Sequence, residues 1–218
     1  MTSEPAVGRW IVVVPVKVAT AGKSRLSGVL DDRVRAALVR AMALDTIDAA
    51  LAASAVGHAL VVTADPELRG AAGRFGLVDE PPLVPGVSPL DAAVLAGVAA
   101  ARSRVPGVSV AMLLGDLPAL RPDDLDAALD LAAAMPLGFV ADAGGTGTTM
   151  LTAFGGADPN PHFGVGSAAA HTAAGHVPLA APGSSSLRRD VDLPADLDEI
   201  ARLELGVRTG PLLARLRG

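Results

Sequence analysis

The segment from Val108 to Leu120 places the strongest constraint on the fold of this chain. Its first half, up to Leu114, is almost entirely apolar, which predicts a short strand buried on both faces of a sheet. Asp116 follows, and Pro118 then turns the chain. An acidic side chain at the carboxyl end of a central strand lies in the crevice where α/β sheets bind ligands, and hard cations prefer oxygen ligands. Asp116 is therefore a candidate metal ligand, with a simple cap of this turn as the alternative.

Strands and helices alternate along the rest of the sequence. Apolar runs predict the strands, and alanine-rich stretches with apolar residues at helical spacing predict the helices. The predicted strands are Trp10 to Val16, His58 to Thr63, Gly76 to Val78, Val108 to Leu114 and Gly138 to Ala141, and the main predicted helices are Asp31 to Ala53, Leu90 to Arg104, Arg121 to Met135 and Ala195 to Leu205. This alternation predicts a three-layer α/β sandwich on a largely parallel sheet. We expect residues 1–218 to form a single domain with a sizeable core.

The composition narrows both the chemistry and the partners. The chain has no cysteine, which excludes a disulfide framework and a thiolate zinc site and leaves oxygen or histidine ligands, with Mg²⁺ as the natural candidate. A formal net charge of −5 provides no basic surface for nucleic acid. No stretch approaches the roughly 18 apolar residues of a membrane span, and the first residues lack a signal-peptide pattern. We therefore expect a cytoplasmic protein without a membrane partner.

A loop of small residues after the first predicted strand carries Lys17, Lys23 and Arg25. Small residues allow the backbone to approach a phosphate, and the cations offset its charge. The chain has 18 basic residues, and its only lysines are these two, so the compact ammonium group is used in this loop alone. The glycine spacing of a Walker A motif is absent. The loop predicts a phosphate site, with a solvated basic turn as the alternative.

Two glycine-containing segments follow the strand predicted at Gly138 to Ala141. Residues 142–149 alternate glycine with threonine and would present N–H groups and hydroxyls to an anion, although a hairpin turn has the same composition. Residues 163–167 read Phe-Gly-Val-Gly-Ser and precede a predicted helix, whose start is a second candidate anion site. The glycines of this segment match a dinucleotide fingerprint only formally, because no strand precedes them.

Asp190 and Asp192 precede the last predicted helix. In extended backbone, alternate side chains point to the same face, so both carboxylates could share a cation with Asp116. A capping turn for the following helix is the alternative interpretation.

Three histidines, His162, His171 and His176, stand close together in the sequence. They could indicate a metal site or a triad with Ser167. No cysteine or glutamate accompanies them at ligand spacing, so solvated histidines are the expected outcome.

These motifs together resemble the 2-phospho-L-lactate guanylyltransferase family of deazaflavin-coenzyme biosynthesis, including its bacterial members that use phosphoenolpyruvate. Each motif is short, and their order along nearly the whole chain carries the resemblance. The matching segments are Pro15-Val16-Lys17, Lys23-Ser24-Arg25-Leu26, Leu114 to Pro118, Gly145 to Thr148, Phe163-Gly164 with Ser167, and Asp190-Val191-Asp192.

The resemblance implies a Rossmann-like nucleotidyltransferase fold with a largely parallel mixed sheet, GTP as the nucleotide and Mg²⁺ bound to aspartates. By this resemblance, Asp116 with Asp190 or Asp192 would hold Mg²⁺ between the nucleophile and the nucleotide. The remaining site residues are Lys17, Lys23 and Arg25 for the triphosphate, and Thr148, Gly164 and Ser167 for phosphoenolpyruvate.

The implied reaction transfers GMP from GTP to the phosphate of phosphoenolpyruvate or 2-phospho-L-lactate and releases pyrophosphate, in biosynthesis of coenzyme F420. The chain departs from the family pattern at Asp91, where the family usually has Asn in a Pro-Leu-Asn motif, and this leaves the preference for guanine open. A transferase acting on a sugar or alcohol acceptor and a non-catalytic nucleotide-binding regulator remain as alternatives. The sequence also leaves open the identity of the phosphorylated acid and the oligomeric state.

Overall fold

The computed structural model describes residues 9–217, without the side chains of Ala21 and Ser24. The strands are β1 (Trp10–Pro15), β2 (Val56–Val62), β3 (Gly76–Val78), β4 (Ser109–Leu113), β5 (Leu137–Ala141), β6 (Thr148–Ala153) and β7 (Val177–Pro178). The α-helices are α1 (Asp32–Ala52), α2 (Pro66–Gly70), α3 (Pro89–Arg104), α4 (Pro122–Ala132), α5 (Ser167–Ala173), α6 (Pro194–Ile200) and α7 (Thr209–Arg217). Across residues 9–217 no helix combines the length and apolarity needed to cross a membrane.

The strands form one sheet in the order β3-β2-β1-β4-β6-β5-β7. The first four of these run parallel, which confirms the predicted α/β fold with a largely parallel sheet. β6 runs antiparallel to both β4 and β5, while the short β7 lies parallel to β5. The turn that joins β5 to β6 therefore lies at the same edge of the sheet as the carboxyl ends of β1 and β4.

Helices cover both faces of the sheet and complete three layers. Alternate residues of β1 point to opposite faces, so Val12 and Val14 pack in the core beneath α1 and α4, whereas Ile11 and Val13 pack against α3. α3 approaches the sheet closely at Gly97, where an added Cβ would stand 2.2 Å from a Val13 methyl carbon. β1 and β4 are buried on both faces along their whole length, as their continuous apolar sequences predict.

Polar caps fix where several helices begin. Asp31 accepts a hydrogen bond from Val34 N–H at the start of α1, and Asp65 caps α2 through the N–H groups of its first turn. Asp65 is fully buried and also accepts from the guanidinium of Arg40, with contacts of 3.0–3.1 Å. This carboxylate therefore joins α1 to the start of α2, just after the end of β2.

The C-terminal segment packs on α1 and holds the last candidate site residues in place. A separate apolar cluster joins Leu26 and Met42 to Val191 and Leu213. Asp45 of α1 accepts from the backbone N–H groups of residues 208 and 209, at 3.2 and 2.7 Å. Two details differ from the sequence expectation: the helix predicted to reach Leu205 ends at Ile200, and α7 was not predicted.

Candidate active site

A cleft of about 700 Å³ opens at the carboxyl ends of β1 and β4, and every site residue predicted from the sequence lines it. One side, which we call the carboxylate wall, consists of Lys17, Lys23, Arg25, Asp116, Asp190 and Asp192. The other side, which we call the hydroxyl wall, consists of Thr146, Thr148, Gly164 and Ser167. What each of these residues binds stays a prediction. The structure does bring the residues of both walls together in one cavity.

Asp116 lies in the turn that follows β4, where the backbone is held from two sides. Leu117 N–H donates to the buried hydroxyl of Thr46 on α1 at 3.1 Å. The carbonyl oxygen of Asp116 accepts from Val191 N–H at 3.2 Å. The second of these bonds places the segment of Asp190 and Asp192 directly beside Asp116.

The segment 190–192 belongs to no strand or helix, in contrast to the strand geometry considered from its sequence. Arg188 anchors it from the other side, because its guanidinium donates to the carbonyl oxygens of Ala141 and Asp142 at 2.8–3.2 Å. Asp192 N–H donates to the Asp196 carboxylate at 2.7 Å, so the start of α6 is capped by Asp196 rather than by the two candidate ligands.

Asp116, Asp190 and Asp192 present carboxylate oxygens that all lie within 4.8 Å of one another. Burial raises the pKa of Asp190 to about 7, and repulsion from Asp116 and Asp192 adds to this shift. One buried oxygen of Asp116 has no hydrogen-bond partner within the described part of the chain. A compact set of oxygen donors with excess negative charge and an unsatisfied buried acceptor fits a hard divalent cation.

Lys23 supplies the positive charge that this cluster holds in the structure. Its ammonium group contacts Asp116 and lies 2.5 Å from an oxygen of Asp192, and its side chain is only 15% exposed. Burial alone lowers the pKa of Lys23, but attraction to Asp116 and Asp192 outweighs this and raises the pKa above its ordinary value. Lys23 adopts a left-handed φ of 50°, which a non-glycine residue adopts at some cost. Arg25 lies farther out, 3.8 Å from Asp192.

The turn between β5 and β6 forms much of the hydroxyl wall. The Asp142 carboxylate accepts from the N–H groups of Thr146 and Gly147, both at 2.9 Å. A Cβ at Gly147 would stand 2.5 Å from that carboxylate, so only glycine fits there. The expectation that these amides face an anion is therefore wrong, because Asp142 already occupies them. The hairpin interpretation is correct, and Thr146 and Thr148 line the cleft together with Asp142 and Gly147.

The segment before α5 completes the hydroxyl wall. Gly164 has a φ of +136° and Gly166 a φ of +73°, conformations that favour glycine. Ala168 N–H donates to the carbonyl oxygen of Thr146 at 3.1 Å and thereby joins α5 to the hairpin. Ser167 is 2% exposed and lines the cleft.

The histidines behave differently from the sequence expectation. His162 is exposed as expected, but His171 and His176 are buried, so the prediction that all three are solvated is wrong. His171 forms hydrogen bonds with the Thr148 hydroxyl and with His162 N–H, both at 2.9 Å. The error arose because α5 is short and its buried side cannot be recognised from apolar spacing in an alanine-rich sequence.

Asp91, at the start of α3, binds the backbone of the segment that completes the hydroxyl wall. One of its carboxylate oxygens accepts from Phe163 N–H at 2.9 Å, and the other accepts from the Ser88 hydroxyl at 2.7 Å. Both bonds are made to carboxylate oxygens, and the bond from Phe163 N–H joins the start of α3 to the segment before α5. The neighbouring Leu90 is the residue of this turn that lines the cleft.

A family of proteins described as CofC-like guanylyl transferases matches residues 10–155, which is more than half of the chain. Two similar bacterial proteins are named phosphoenolpyruvate guanylyltransferase. The protein from Sanguibacter keddieii is 46% identical over 94% of this chain and 84% of its own length. The protein from Streptomyces scabiei is 45% identical over 95% of this chain and 97% of its own length.

Solved structures show the same fold at low sequence identity. A nucleotidyl transferase from Methanothermobacter thermautotroptrophicus superposes with a TM-score of 0.57 at 19% identity, covering 88% of this chain and 95% of that one. A 4-diphosphocytidyl-2C-methyl-D-erythritol synthase superposes with a TM-score of 0.53 at 12% identity, covering 86% and 93%. These likenesses confirm the predicted nucleotidyltransferase fold.

Proposed function

Because the chain belongs to the family of CofC-like guanylyl transferases, we propose that it transfers GMP from GTP to the phosphate of phosphoenolpyruvate and releases pyrophosphate. The observation that carries this proposal is one cleft that brings a cluster of charged residues together with a set of hydroxyl and glycine residues. Relatives that span nearly the whole chain supply the substrate names. The product would enter biosynthesis of the deazaflavin coenzyme F420.

The reaction needs little from the protein beyond positioning and charge. An acceptor phosphate oxygen attacks the α-phosphorus of GTP in line, a new P–O–P linkage forms, and pyrophosphate leaves. That oxygen is already ionised at neutral pH, so no general base is required. Catalysis then depends on aligning the two substrates and on offsetting the negative charge that gathers around the α-phosphorus.

We assign the carboxylate wall to the nucleotide and to a divalent cation, for which Mg²⁺ is our proposal. The carboxylates of Asp116, Asp190 and Asp192 fit this ion by donor type and by their mutual distances. When bound, such an ion offsets charge on phosphate oxygens. The cations of the same wall, Lys17, Lys23 and Arg25, are our candidates for contacts with the triphosphate.

We assign the hydroxyl wall to the acceptor. Phosphoenolpyruvate carries a carboxylate and a phosphate, and both groups accept hydrogen bonds. The hydroxyls of Thr148 and Ser167 and the N–H of Gly164 are donors that line one side of the cleft. Their neutrality suits an acceptor whose phosphate must remain a nucleophile, because a tightly bound counter-charge would lower its reactivity.

A pyrophosphate-release assay tests the proposal directly. GTP with Mg²⁺ is supplied together with phosphoenolpyruvate, 2-phospho-L-lactate, 3-phosphoglycerate, or a set of sugar and alcohol acceptors, in separate reactions. We expect release with phosphoenolpyruvate and none without an acceptor or after chelation of the metal. Release only with a sugar or alcohol acceptor would instead support the alternative transferase. Binding of GTP with no release under any condition would support the regulator.

A further inference from the structure

His171 is a fully buried histidine whose two ring nitrogens both have partners. Its Nε2 lies 2.9 Å from the backbone nitrogen of His162, and its Nδ1 lies 2.9 Å from the Thr148 hydroxyl oxygen. The rings of Phe139 and Phe163 pack against it, with centroids 6.0 and 5.2 Å away. The imidazole therefore cannot rotate freely, and its hydrogen-bonding pattern is set by these neighbours.

The two contacts select one tautomer of the neutral ring. A backbone N–H can only donate, so Nε2 must accept the hydrogen bond from His162 and carries no proton. In a neutral imidazole the single proton then resides on Nδ1. Nδ1–H consequently donates to the hydroxyl oxygen of Thr148 rather than accepting from it.

This direction decides what Thr148 offers to the cleft. A hydroxyl has one donor hydrogen and two acceptor lone pairs. If Nδ1 were an acceptor, the Thr148 hydrogen would point at His171 and only lone pairs would face a ligand. Because Nδ1–H donates instead, the hydroxyl hydrogen stays available for the cleft that Thr148 lines.

We propose that His171 is a positioning residue that fixes the Thr148 hydroxyl as a hydrogen-bond donor toward an anionic oxygen of the acceptor. The inference rests on the proposed function, because it requires the acceptor to bind at the hydroxyl wall. The proposal assigns a role to a fully buried histidine that does not line the cleft. It accounts for the presence of this histidine next to the hydroxyl wall.

The environment of His171 also keeps the ring neutral. Burial lowers its pKa to about 4, and the neighbouring rings of His176 and His162 oppose a positive charge further. In addition, a proton on Nε2 would be repelled by the backbone N–H of His162, which points at the same nitrogen. The same tautomer therefore persists throughout the range around neutral pH in which a guanylyl transfer would be measured.

Two substitutions separate the two hydrogen bonds. His171→Gln places a carbonyl oxygen near the former Nε2, so it can still accept from His162 N–H, but it removes the N–H directed at Thr148. His171→Asn places an amide N–H near the former Nδ1, so it retains the bond to Thr148 and loses the other. His162→Gln is the matched control, because it changes an exposed neighbouring ring and keeps the backbone N–H.

We expect His171→Gln to raise the KM for phosphoenolpyruvate about tenfold, as for a lost hydrogen bond to a charged group, with kcat and the KM for GTP within about threefold. His171→Asn and the control should stay within about threefold of the unsubstituted protein for all three parameters. In a Thr148→Val background, His171→Gln should cause no further increase. Thermal melts of each variant establish that the fold is retained.

Nitrogen NMR of the histidine side chains provides a readout that is independent of turnover. The expected spectrum has a protonated Nδ1 and an unprotonated Nε2 for His171, and a protonated Nε2 would overturn the proposal. It would also be overturned if His171→Gln raised the acceptor KM equally in the Thr148→Val background. Absence of turnover with every acceptor would instead refute the proposed function and with it the role toward the acceptor. The tautomer measurement would still show whether Nδ1–H donates to the Thr148 hydroxyl.

Discussion

The two walls of the cleft are built on different physical principles. The carboxylate wall gathers charged groups from three distant segments, and its geometry depends on attraction between Lys23 and the aspartates. The hydroxyl wall is held by backbone N–H groups that donate to the carboxylates of Asp142 and Asp91 and by the contact of Thr148 with His171, with glycines at positions of unusual φ. One wall can change its charge state on binding a cation, whereas the other presents donors of fixed direction.

This difference predicts separate kinetic effects for the two walls. Electrostatic groups near the α-phosphorus should act mainly on kcat, because charge develops there in the transition state. Donors that hold an anion equally in the ground state and the transition state should act mainly on KM. The following substitutions test this division.

The largest effect is expected for Asp116→Asn. The side chain keeps its size but loses its charge, and kcat should fall roughly 100-fold or more, as for removal of one strong electrostatic contact. The bond from Val191 N–H to the backbone of residue 116 does not involve the side chain, so the fold should survive. Pyrophosphate release measures turnover, and Mn²⁺ titration followed by electron paramagnetic resonance measures metal binding separately.

Asp79→Asn is the matched control for this test. Asp79 follows β3 at the same edge of the sheet but is 88% exposed and pairs with Arg69 outside the cleft. We expect it to retain turnover and Mn²⁺ binding. Near-normal metal-dependent turnover in Asp116→Asn would contradict the metal assignment and with it the division between the walls.

The two lysines sharpen the comparison within the carboxylate wall. Lys23 is nearly enclosed between aspartates, whereas Lys17 is exposed, so an amine-modifying reagent should react first at Lys17. Lys23→Gln should lower kcat/KM for GTP roughly tenfold to 100-fold, because it leaves carboxylates uncompensated and removes a candidate triphosphate contact. Peptide mass spectrometry reports the order of modification.

GTP with Mg²⁺ should protect both lysines from the reagent and preserve activity. If full modification of Lys17 and Lys23 leaves turnover unchanged, the loop is a solvated basic turn and does not bind phosphate.

A smaller and different effect is expected for Ser167→Ala. The substitution removes one hydroxyl from the hydroxyl wall and should raise the KM for phosphoenolpyruvate about tenfold while GTP affinity stays constant. Ser185→Ala is a suitable comparison, because Ser185 is also buried but caps a turn at Leu187 away from the cleft. A loss of GTP affinity in Ser167→Ala with an unchanged acceptor KM would mean that the two walls have been assigned in reverse.

The smallest effect is expected for Asp91→Asn. Asparagine can still accept from Phe163 N–H through its oxygen, and its amide can donate to the Ser88 hydroxyl oxygen. Kinetic parameters for both substrates should therefore change by less than about threefold. Asp91→Ala, which removes the acceptor for Phe163 N–H, should raise the acceptor KM more. A change in the preference between GTP and ATP in Asp91→Asn would show that this side chain reads the base.

Much of the fold follows from local patterns in the sequence. Continuous apolar runs such as Trp10–Pro15 are typical of strands buried on both faces, and the alternation with helices leads to a three-layer sandwich. The resemblance implied a mixed sheet and a hairpin was one interpretation of residues 142–149, but the sequence of β6 itself contains no signal for its antiparallel direction. The helix α7 (Thr209–Arg217) was not predicted, because its start depends on the buried contacts of Asp45 with residues 208 and 209.

By itself, the sequence determined which chemical groups are available and in what order they occur along the chain. Lysines confined to one loop, carboxylates after apolar runs and hydroxyls among glycines are properties of composition and spacing. Together with the resemblance in the order of these motifs, they predicted a set of residues that all line the cleft. Tertiary structure alone decided how these groups are arranged around the cleft and which of them are occupied by other parts of the chain. It brought Asp190 to Asp116 through Val191, occupied the turn amides with Asp142, and buried His171 behind Thr148. Such contacts join residues remote in sequence, and hydrogen-bond direction depends on three-dimensional geometry, so no local periodicity encodes them.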